Sequence, residues 1–220
     1  MHFTFGSAGT GGCDYVMMIK GMFDTNPHVF DTIYSCSGSS AGALAALYLA
    51  TKKYTRGFAI NHHIEIMNAT KRICTSTIYT TATCIDDALN NFMDFVEIPR
   101  DCTMEQLRNR CDYPIYIWTT DIQTGAMVIH SATHPNMPVL DALRMSCAIP
   151  FIIPAVRHSY HVCVDAGISR DVPIMYPDDK NFVMLCTYTG PVSDDSHITR
   201  IISLLWNQLT NTYVLYLQRL

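Results

Sequence analysis

The sequence GSSAG at residues 38–42 lies between an apolar run and an alanine-rich run. The pattern G-x-S-x-G between a strand and a helix is typical of a nucleophile elbow, which exposes a serine on a sharp turn. Gly38 and Gly42 leave room for the chain to fold back closely on either side of Ser40. The sequence therefore predicts that Ser40 can attack a carbonyl, although small residues also suit a tight turn without a catalytic role.

A second glycine-rich stretch, SAGTGG at residues 7–12, follows a short predicted strand and precedes a helical pattern. Backbone N–H groups in such a loop can converge on an anion. A dinucleotide site would need an acidic residue about twenty positions further on, at the end of the next strand. Asp31 fits that position poorly, because it precedes or enters its strand. We therefore favour an oxyanion hole, with donors from Gly9, Thr10, Gly11 and Gly12.

Apolar runs alternate with helical patterns along the chain, separated by glycine or proline. This alternation predicts an α/β domain, a three-layer α/β/α sandwich with a mainly parallel central sheet. We expect one domain over residues 1–220, with the polar region 51–110 as a lid or insertion. The predicted strands are His2–Phe5, Val29–Cys36, Tyr113–Thr119, Met127–His130, His161–Val164 and Phe182–Tyr188. A hairpin turn is predicted at Gln123-Thr124-Gly125, before the strand Met127–His130. The predicted helices contain Tyr15–Met22, Ala43–Leu49, Ile85–Val96, Met104–Arg110 after a Thr103/Gln106 capping box, Val139–Met145 and Ile198–Leu220.

Composition excludes several classes of protein. Of the 220 residues, 49% are hydrophobic and 15% are charged, which is typical of a folded chain. The net charge of −4 provides no basic field for nucleic acid or for an anionic membrane. The nine cysteines form no CxxC pair and are expected to be reduced thiols. With neither a signal peptide nor a long apolar span in the sequence, we expect a cytoplasmic protein that contacts membranes only peripherally.

Three blocks in order resemble the patatin-like phospholipase family: the glycine loop at 6–12, the G-x-S-x-G at 38–42, and Asp165-Ala166-Gly167. The sequence is also similar to that family's second half in YIWTTD (116–121), TG (124–125), RMSCAIP (144–150), VDAGI (164–168) and VP (172–173). The resemblance extends over residues 3 to 190 and is missing mainly at 51–100. Ordered matches of several blocks are far more specific than one motif.

The resemblance implies a catalytic dyad without histidine, in which Ser40 is the nucleophile and Asp165 the general base. It implies a lipid acyl hydrolase of the phospholipase A or lysophospholipase type, acting on phospholipid or other acyl-ester lipids without metal or organic cofactor. A carboxylate in a water-poor site can accept the serine proton and later protonate the leaving alkoxide. The chain departs from the family pattern at Ser7, Gly11 and Ala166.

Two alternatives remain. The order Ser40, Asp165, His197 matches the triad order of α/β-hydrolases, so an esterase with that triad is the first. His197 lies in the polar run 193–196, which is typical of a solvated loop. The departures from the family pattern make a catalytically inactive lipid-binding relative the second. The amphipathic stretch Ile198–Leu220 is expected to cover the sheet, with contact to a membrane as the alternative.

Overall fold

The strand–helix units predicted at the start of the chain form in the computed structural model, which describes residues 1–8, 12–55, 78–150, 153–169 and 181–184. These residues belong to a unit spanning Met1–Thr187, and a second unit, Tyr188–Leu220, lies outside the described residues. The strands are β1 (His2–Phe5), β2 (Ser35–Ser39), β3 (Ile115–Asp121), β4 (Gly125–Ile129), β5 (Val156–His158), β6 (His161–Asp165) and β7 (Asn181–Met184). The helices are α1 (Cys13–Thr25), α2 (His28–Asp31), α3 (Ala41–Ala50), α4 (Ile78–Phe95), α5 (Met104–Arg110) and α6 (Val139–Ser146). Short 3-10 helices lie at Lys53–Thr55 and Ala166–Ile168.

The sheet confirms the predicted mixed α/β class. Hydrogen-bonded neighbours run β5, β6, β3, β2, β1, β7, and β4 also pairs with β3. Strands β7, β1, β2 and β3 are parallel, whereas β4, β5 and β6 add antiparallel pairs beside β3. Apolar side chains on one face of β1–β3 form a core with α1, α3 and α6. The helix predicted at Ile198–Leu220 lies outside the described residues.

The strand predicted at Val29–Cys36 is wrong except at its last two residues, Ser35 and Cys36. Residues His28–Asp31 form the short helix α2, and the strand begins only at Ser35. Pro27 caps the helix with φ −60°, the value at which its ring is fixed and which suits a helix start. Phe30 then packs its ring against the aromatic ring of Tyr54 rather than continuing a strand.

The helix predicted from its apolar spacing within 51–110 is α4, and it is part of the core. Its spaced apolar residues are buried: Ile85, Leu89, Phe92, Met93 and the adjacent Val96. Arg144 of α6 ties the two helices together by donating from Nε to Asp86 Oδ1 at 2.7 Å. Residues 56–77 lie outside the described residues, so a lid there stays a prediction.

Two local predictions are confirmed in detail. Thr103 accepts from the backbone N–H of Gln106, and the Gln106 side chain accepts from Thr103 N, which completes the capping box before α5. The turn after β3 enters β4 through Gly125 at φ +97°, a conformation that favours glycine. Both signals depend on residues close together in sequence.

On the face of β1 and β2 opposite to the apolar core, the side chains are hydroxyl groups and one imidazole. His2 Nδ1 lies 2.7 Å from Ser35 Oγ and Nε2 lies 2.9 Å from Ser37 Oγ, while Thr4 contacts the same Ser37 hydroxyl. Burial, and after it the N-terminal charge, lowers the pKa of His2 to about 4. The neutral ring therefore joins the two strands by side-chain hydrogen bonds and helps to fix their register.

Candidate active site

Ser40 occupies the sharp turn between β2 and α3, as predicted for a nucleophile elbow. Its backbone has φ 54° and ψ −127°, a conformation that side-chain-bearing residues rarely adopt. The residue is 5% exposed. Strain of this kind costs on the order of 1–3 kcal/mol and persists only where neighbouring structure enforces it.

Gly38 and Gly42 enforce the turn through backbone contacts. A Cβ on Gly38 would lie 2.0 Å from the Gly42 carbonyl oxygen and 2.6 Å from Ala43 N. A Cβ on Gly42 would lie 2.4 Å from the carbonyl oxygen of Phe5 at the end of β1. Neither position has space for a side chain, because the obstructing atoms belong to the backbone.

We expect Gly38→Ala to lower the free energy of unfolding by about 3 kcal/mol or more, since backbone atoms would have to move. Gly21→Ala in α1 is the matched control, because a Cβ there meets no atom within 4 Å. Alanine favours a helix interior, so this control should gain roughly 0.5–1 kcal/mol. Urea denaturation of both variants measures the difference, and equal stabilities would contradict the packing described for the elbow.

Asp165 lies beside the elbow because two strands share one edge of β3. Ser39 pairs with Trp118 in the β2–β3 ladder. Asp165 pairs with the next residue, Thr119, in the β3–β6 ladder. Strand β4 pairs with Ile117–Asp121 and therefore occupies one edge of β3 beside both of these pairs. Strands β2 and β6 must then lie one after the other along the opposite edge of β3. Ser39 and Asp165 are thus about one residue step, roughly 3.3 Å, apart along β3.

A single short segment at the end of α6 holds the backbone of both candidate residues. The Ser40 N–H donates to Ser146 Oγ at 2.8 Å, and that hydroxyl donates to the Trp118 carbonyl at 2.7 Å. Two residues later, the Ala148 carbonyl accepts from the Asp165 N–H at 2.9 Å. The elbow and the end of β6 are therefore fixed relative to each other through residues 146–148.

We expect Ser146→Ala to lower the free energy of unfolding by about 2 kcal/mol, because it leaves a buried N–H and a buried carbonyl without their partner. Ser146→Cys keeps the side-chain shape but bonds more weakly, so its stability should fall between alanine and wild type. Urea denaturation and the exchange rate of the Ser40 amide hydrogen report the two effects. An alanine variant with wild-type stability and amide exchange would contradict this role.

The described residues at both ends of the glycine loop contact the elbow. At its start, Ser7 Oγ lies 2.8 Å from Ser39 Oγ, so the departure at Ser7 adds a hydrogen bond. At its end, Gly12 lies so close to Ala41 that an added Cβ would be 2.2 Å from the Ala41 Cβ. Gly9, Thr10 and Gly11 lie outside the described residues, and their part in an oxyanion hole stays a prediction.

The alanine at the centre of Asp165-Ala166-Gly167 fits its backbone. Ala166 is absent from the described non-glycine residues with positive φ and begins the 3-10 helix Ala166–Ile168. Asp165 is fully buried, and its Oδ1 accepts from the Gly167 N–H at 2.8 Å. The departure at Ala166 therefore leaves the turn geometry intact.

The described histidines do not hydrogen-bond Ser40. His161 Nδ1 instead lies 2.7 Å from Asp121 Oδ2. Hydrogen bonds from Gln123 N, His161 and Thr124 lower the pKa of Asp121 to about 2. His161 is thus a structural partner of a buried carboxylate. His197 lies outside the described residues.

Cys147 is the thiol next to Asp165. Desolvation, and after it the charge of Asp165, raises the pKa of this thiol above its usual range. A thiol held in its neutral form is a weak nucleophile. Cys147 is therefore a poorer candidate than Ser40 for the nucleophile.

The described part of the chain holds no group of three or more histidine, cysteine or acidic side chains that could bind a metal ion. A membrane span requires a long apolar helix, and the helices that the structure describes include none.

Sequence patterns did not identify the part played by Ser146. It lies in the stretch RMSCAIP, whose likeness to a family was noted without a role for the serine. Its partner Ser40 is 106 positions away, so no local pattern indicates the hydrogen bond between them. The hydroxyl contact between Ser7 and Ser39 was missed for the same reason.

Both the sequence and the fold resemble known proteins. The sequence model of the family described as "Patatin-like phospholipase" matches residues 3–178. No curated protein matches the sequence. The structure resembles VipD from Legionella pneumophila with a TM-score of 0.57 and 14% identity, covering 92% of this chain and 52% of that one. It also matches a chain in the complex of SpcU with ExoU from the type III secretion system of Pseudomonas aeruginosa (TM-score 0.44, 14% identity, coverage 70% and 39%). At this identity the likeness to VipD indicates the fold alone, and the chain spans about half of VipD's length.

Proposed function

The chain belongs to the patatin-like phospholipase family, whose sequence model spans residues 3–178, and we propose that it hydrolyses the carboxylic ester bonds of lipids. In this proposal Ser40 is the nucleophile and Asp165 is its general base. The substrate is a phospholipid, a lysophospholipid or another acyl-ester lipid. No metal or organic cofactor takes part.

The strongest support is that Ser39, which directly precedes Ser40, and Asp165 lie along one edge of β3. Ser39 and Asp165 pair with consecutive residues of that strand. The hydrogen bonds of Ser146 and Ala148 hold both backbones from the same side. This arrangement supports a dyad in which the base accepts the proton of the nucleophile without a histidine between them.

In the first half of the reaction, Ser40 Oγ attacks the acyl carbon while its proton passes to the Asp165 carboxylate. The tetrahedral intermediate then collapses, and its bond to the alcohol oxygen breaks. Asp165 returns the proton to that oxygen, so the lysolipid or glycerol derivative leaves as a neutral alcohol. The acyl chain stays on Ser40 as an ester.

In the second half, a water molecule attacks the acyl-enzyme and gives its proton to Asp165. Collapse of this intermediate releases the fatty acid, and the proton returns to Ser40 Oγ. The net reaction consumes one ester and one water and produces one acid and one alcohol. The enzyme is unchanged after each turnover.

The negative oxygen of both intermediates requires donors close to Ser40. We assign them to the backbone N–H groups of Gly9, Thr10, Gly11 and Gly12, and each such donor is worth roughly 2.7–4 kcal/mol in the barrier. The contacts of Ser7 and Gly12 with the elbow support this assignment. The amino end of α3, which starts directly after Ser40, adds a favourable partial charge.

Product analysis tests the proposed function. Purified protein is incubated in H2¹⁸O with a diacyl phospholipid, a lysophospholipid and p-nitrophenyl butyrate, and the products are identified by mass spectrometry. We expect free fatty acids that carry one ¹⁸O atom and no release of the phosphorylated head group. A diether phospholipid, which lacks the ester carbonyl, is the control and should remain intact. Head-group release, or binding of these lipids without hydrolysis, would contradict the proposal, and the second result would favour an inactive lipid-binding relative.

A further inference from the structure

We propose that the end of the sheet that carries Ser40 docks on a phospholipid bilayer through the tips of two hairpins, at Ile122 and Tyr160. The inference rests on the proposed function, because the bilayer would be the source of the lipid ester. It adds a surface of the described residues by which the site reaches that ester.

Both hairpin tips lie at the carboxyl end of β3, on the side of the elbow. The β3–β4 turn follows Asp121, the last residue of β3. The β5–β6 turn precedes His161, and β6 runs from that turn down to Asp165. The Ile122 N–H donates to the Val162 carbonyl at 3.0 Å, which joins the base of one turn to the other hairpin. The two tips therefore project next to each other above Asp165.

Single exposed apolar side chains are common on proteins, but two of them on adjacent turns form a patch of the kind that marks a membrane or protein contact. Tyr160 is 91% exposed and Ile122 is 60% exposed. Ile168, three residues after Asp165, is 39% exposed. A tyrosine suits the boundary between lipid head groups and acyl chains, because its ring is apolar and its hydroxyl stays in water.

The β5–β6 turn presents Tyr160 rigidly. His158 pairs with His161, so only Ser159 and Tyr160 form the turn. Ser159 has φ 53°, as the first position of a tight two-residue hairpin turn requires. A rigid turn loses little conformational freedom when its tip enters a lipid surface, which favours binding.

The two turns carry no negative charge, although the chain as a whole has a net charge of −4. Neither 122–126 nor 158–161 contains a carboxylate. The nearby Asp121 is buried and paired with His161, whereas Arg157 is exposed on the edge strand β5. The tips can therefore approach a bilayer without repelling its phosphates.

Vesicle binding tests the proposal independently of catalysis. In a Ser40→Ala background, we expect Ile122→Ser/Tyr160→Ser to weaken partitioning into phosphatidylcholine vesicles by about tenfold or more, since two apolar anchors are removed. Tyr34→Ser is the matched control, because this 42% exposed tyrosine precedes β2 at the opposite end of the sheet. The control should bind vesicles like its parent. Equal binding by the double variant and its parent would overturn the proposal.

A fluorescent reporter locates the contact. Tyr160→Trp in the same background should shift its emission to the blue with vesicles and be quenched by brominated acyl chains. Tyr34→Trp should do neither. Quenching at position 34 but not at position 160 would overturn the proposed orientation.

Hydrolysis separates docking from chemistry. With Ser40 intact, the double variant should lose about tenfold or more of its rate on vesicles but keep its rate on monomeric p-nitrophenyl butyrate. Equal losses of rate on both substrates would overturn the docking proposal, because they would show that Ile122 and Tyr160 act in the active site itself. If the wild type hydrolyses neither substrate, the proposed function fails, while the binding and quenching results still decide on docking.

A self-association that the double substitution abolishes, without vesicle binding, would assign the tips to a second copy of the chain and overturn the proposal.

Discussion

Ser40→Ala is expected to lower kcat for ester hydrolysis by about 10⁴-fold or more, because the substitution removes the atom to which the acyl group is transferred. The fold should persist. Alanine keeps the Cβ that the strained backbone already accommodates, and the Ser40 N–H that bonds to Ser146 is a backbone group. Initial rates with p-nitrophenyl butyrate, together with urea denaturation, measure both effects.

Ser35→Ala is the matched control for this loss. Ser35 is a buried serine at the opposite end of β2, where its hydroxyl contacts His2. Its removal should cost about 1 kcal/mol of stability and leave the rate within about twofold of wild type. Retention of more than about 1% of the rate by the folded Ser40→Ala protein would show that Ser40 does not carry the acyl group.

Asp165→Asn is expected to lower kcat by about 10³-fold or more. The amide cannot accept the serine proton, although it has almost the same shape as the carboxylate. Its oxygen can still accept from the Gly167 N–H, so the turn should remain intact. Rates on the same soluble ester, with circular dichroism as a check on folding, measure the change.

Two further variants make the result on Asp165 specific. Asp141→Asn removes a partly exposed carboxylate paired with Arg144 and should leave the rate close to wild type. His197→Ala should also leave it close to wild type if Asp165 is the base. A loss with His197→Ala as large as that with Asp165→Asn would instead indicate the hydrolase triad.

Local sequence signals predicted most of the fold. The apolar spacing of α4, the Thr103 capping box and the Gly125 turn each depend on residues a few positions apart, and each is confirmed. The same kind of signal failed at Val29–Asp31. An apolar run of that length suits a strand or a buried helical turn equally well, and Pro27 favours the helix.

The edge strand β5 was missed because Val156–His158 is only three residues long. Such a segment contains too few residues for an alternating pattern to be recognised. Its existence depends on β6, with which it pairs.

Sequence motifs could nominate the residues of the candidate site, but they could not give the strand pairing that positions them. The elbow is a local motif, whereas the end of β2 before Ser40 and the end of β6 at Asp165 come together only because both strands pair with one edge of β3. The segment 146–148 that links them is distant in sequence from Ser40. Long-range strand pairing of this kind is determined by the whole fold and leaves no short pattern to detect.

The central claim is that the Ser40 hydroxyl is activated by the Asp165 carboxylate, and labelling by a fluorophosphonate measures this directly. The reagent forms a bond between phosphorus and the serine oxygen and releases fluoride, so its rate reports the nucleophile without any lipid. Peptide mass spectrometry should find one adduct, on Ser40, that forms at least about 100-fold more slowly in Asp165→Asn. An adduct on another residue, or wild-type labelling of Ser40 in Asp165→Asn, would contradict the account.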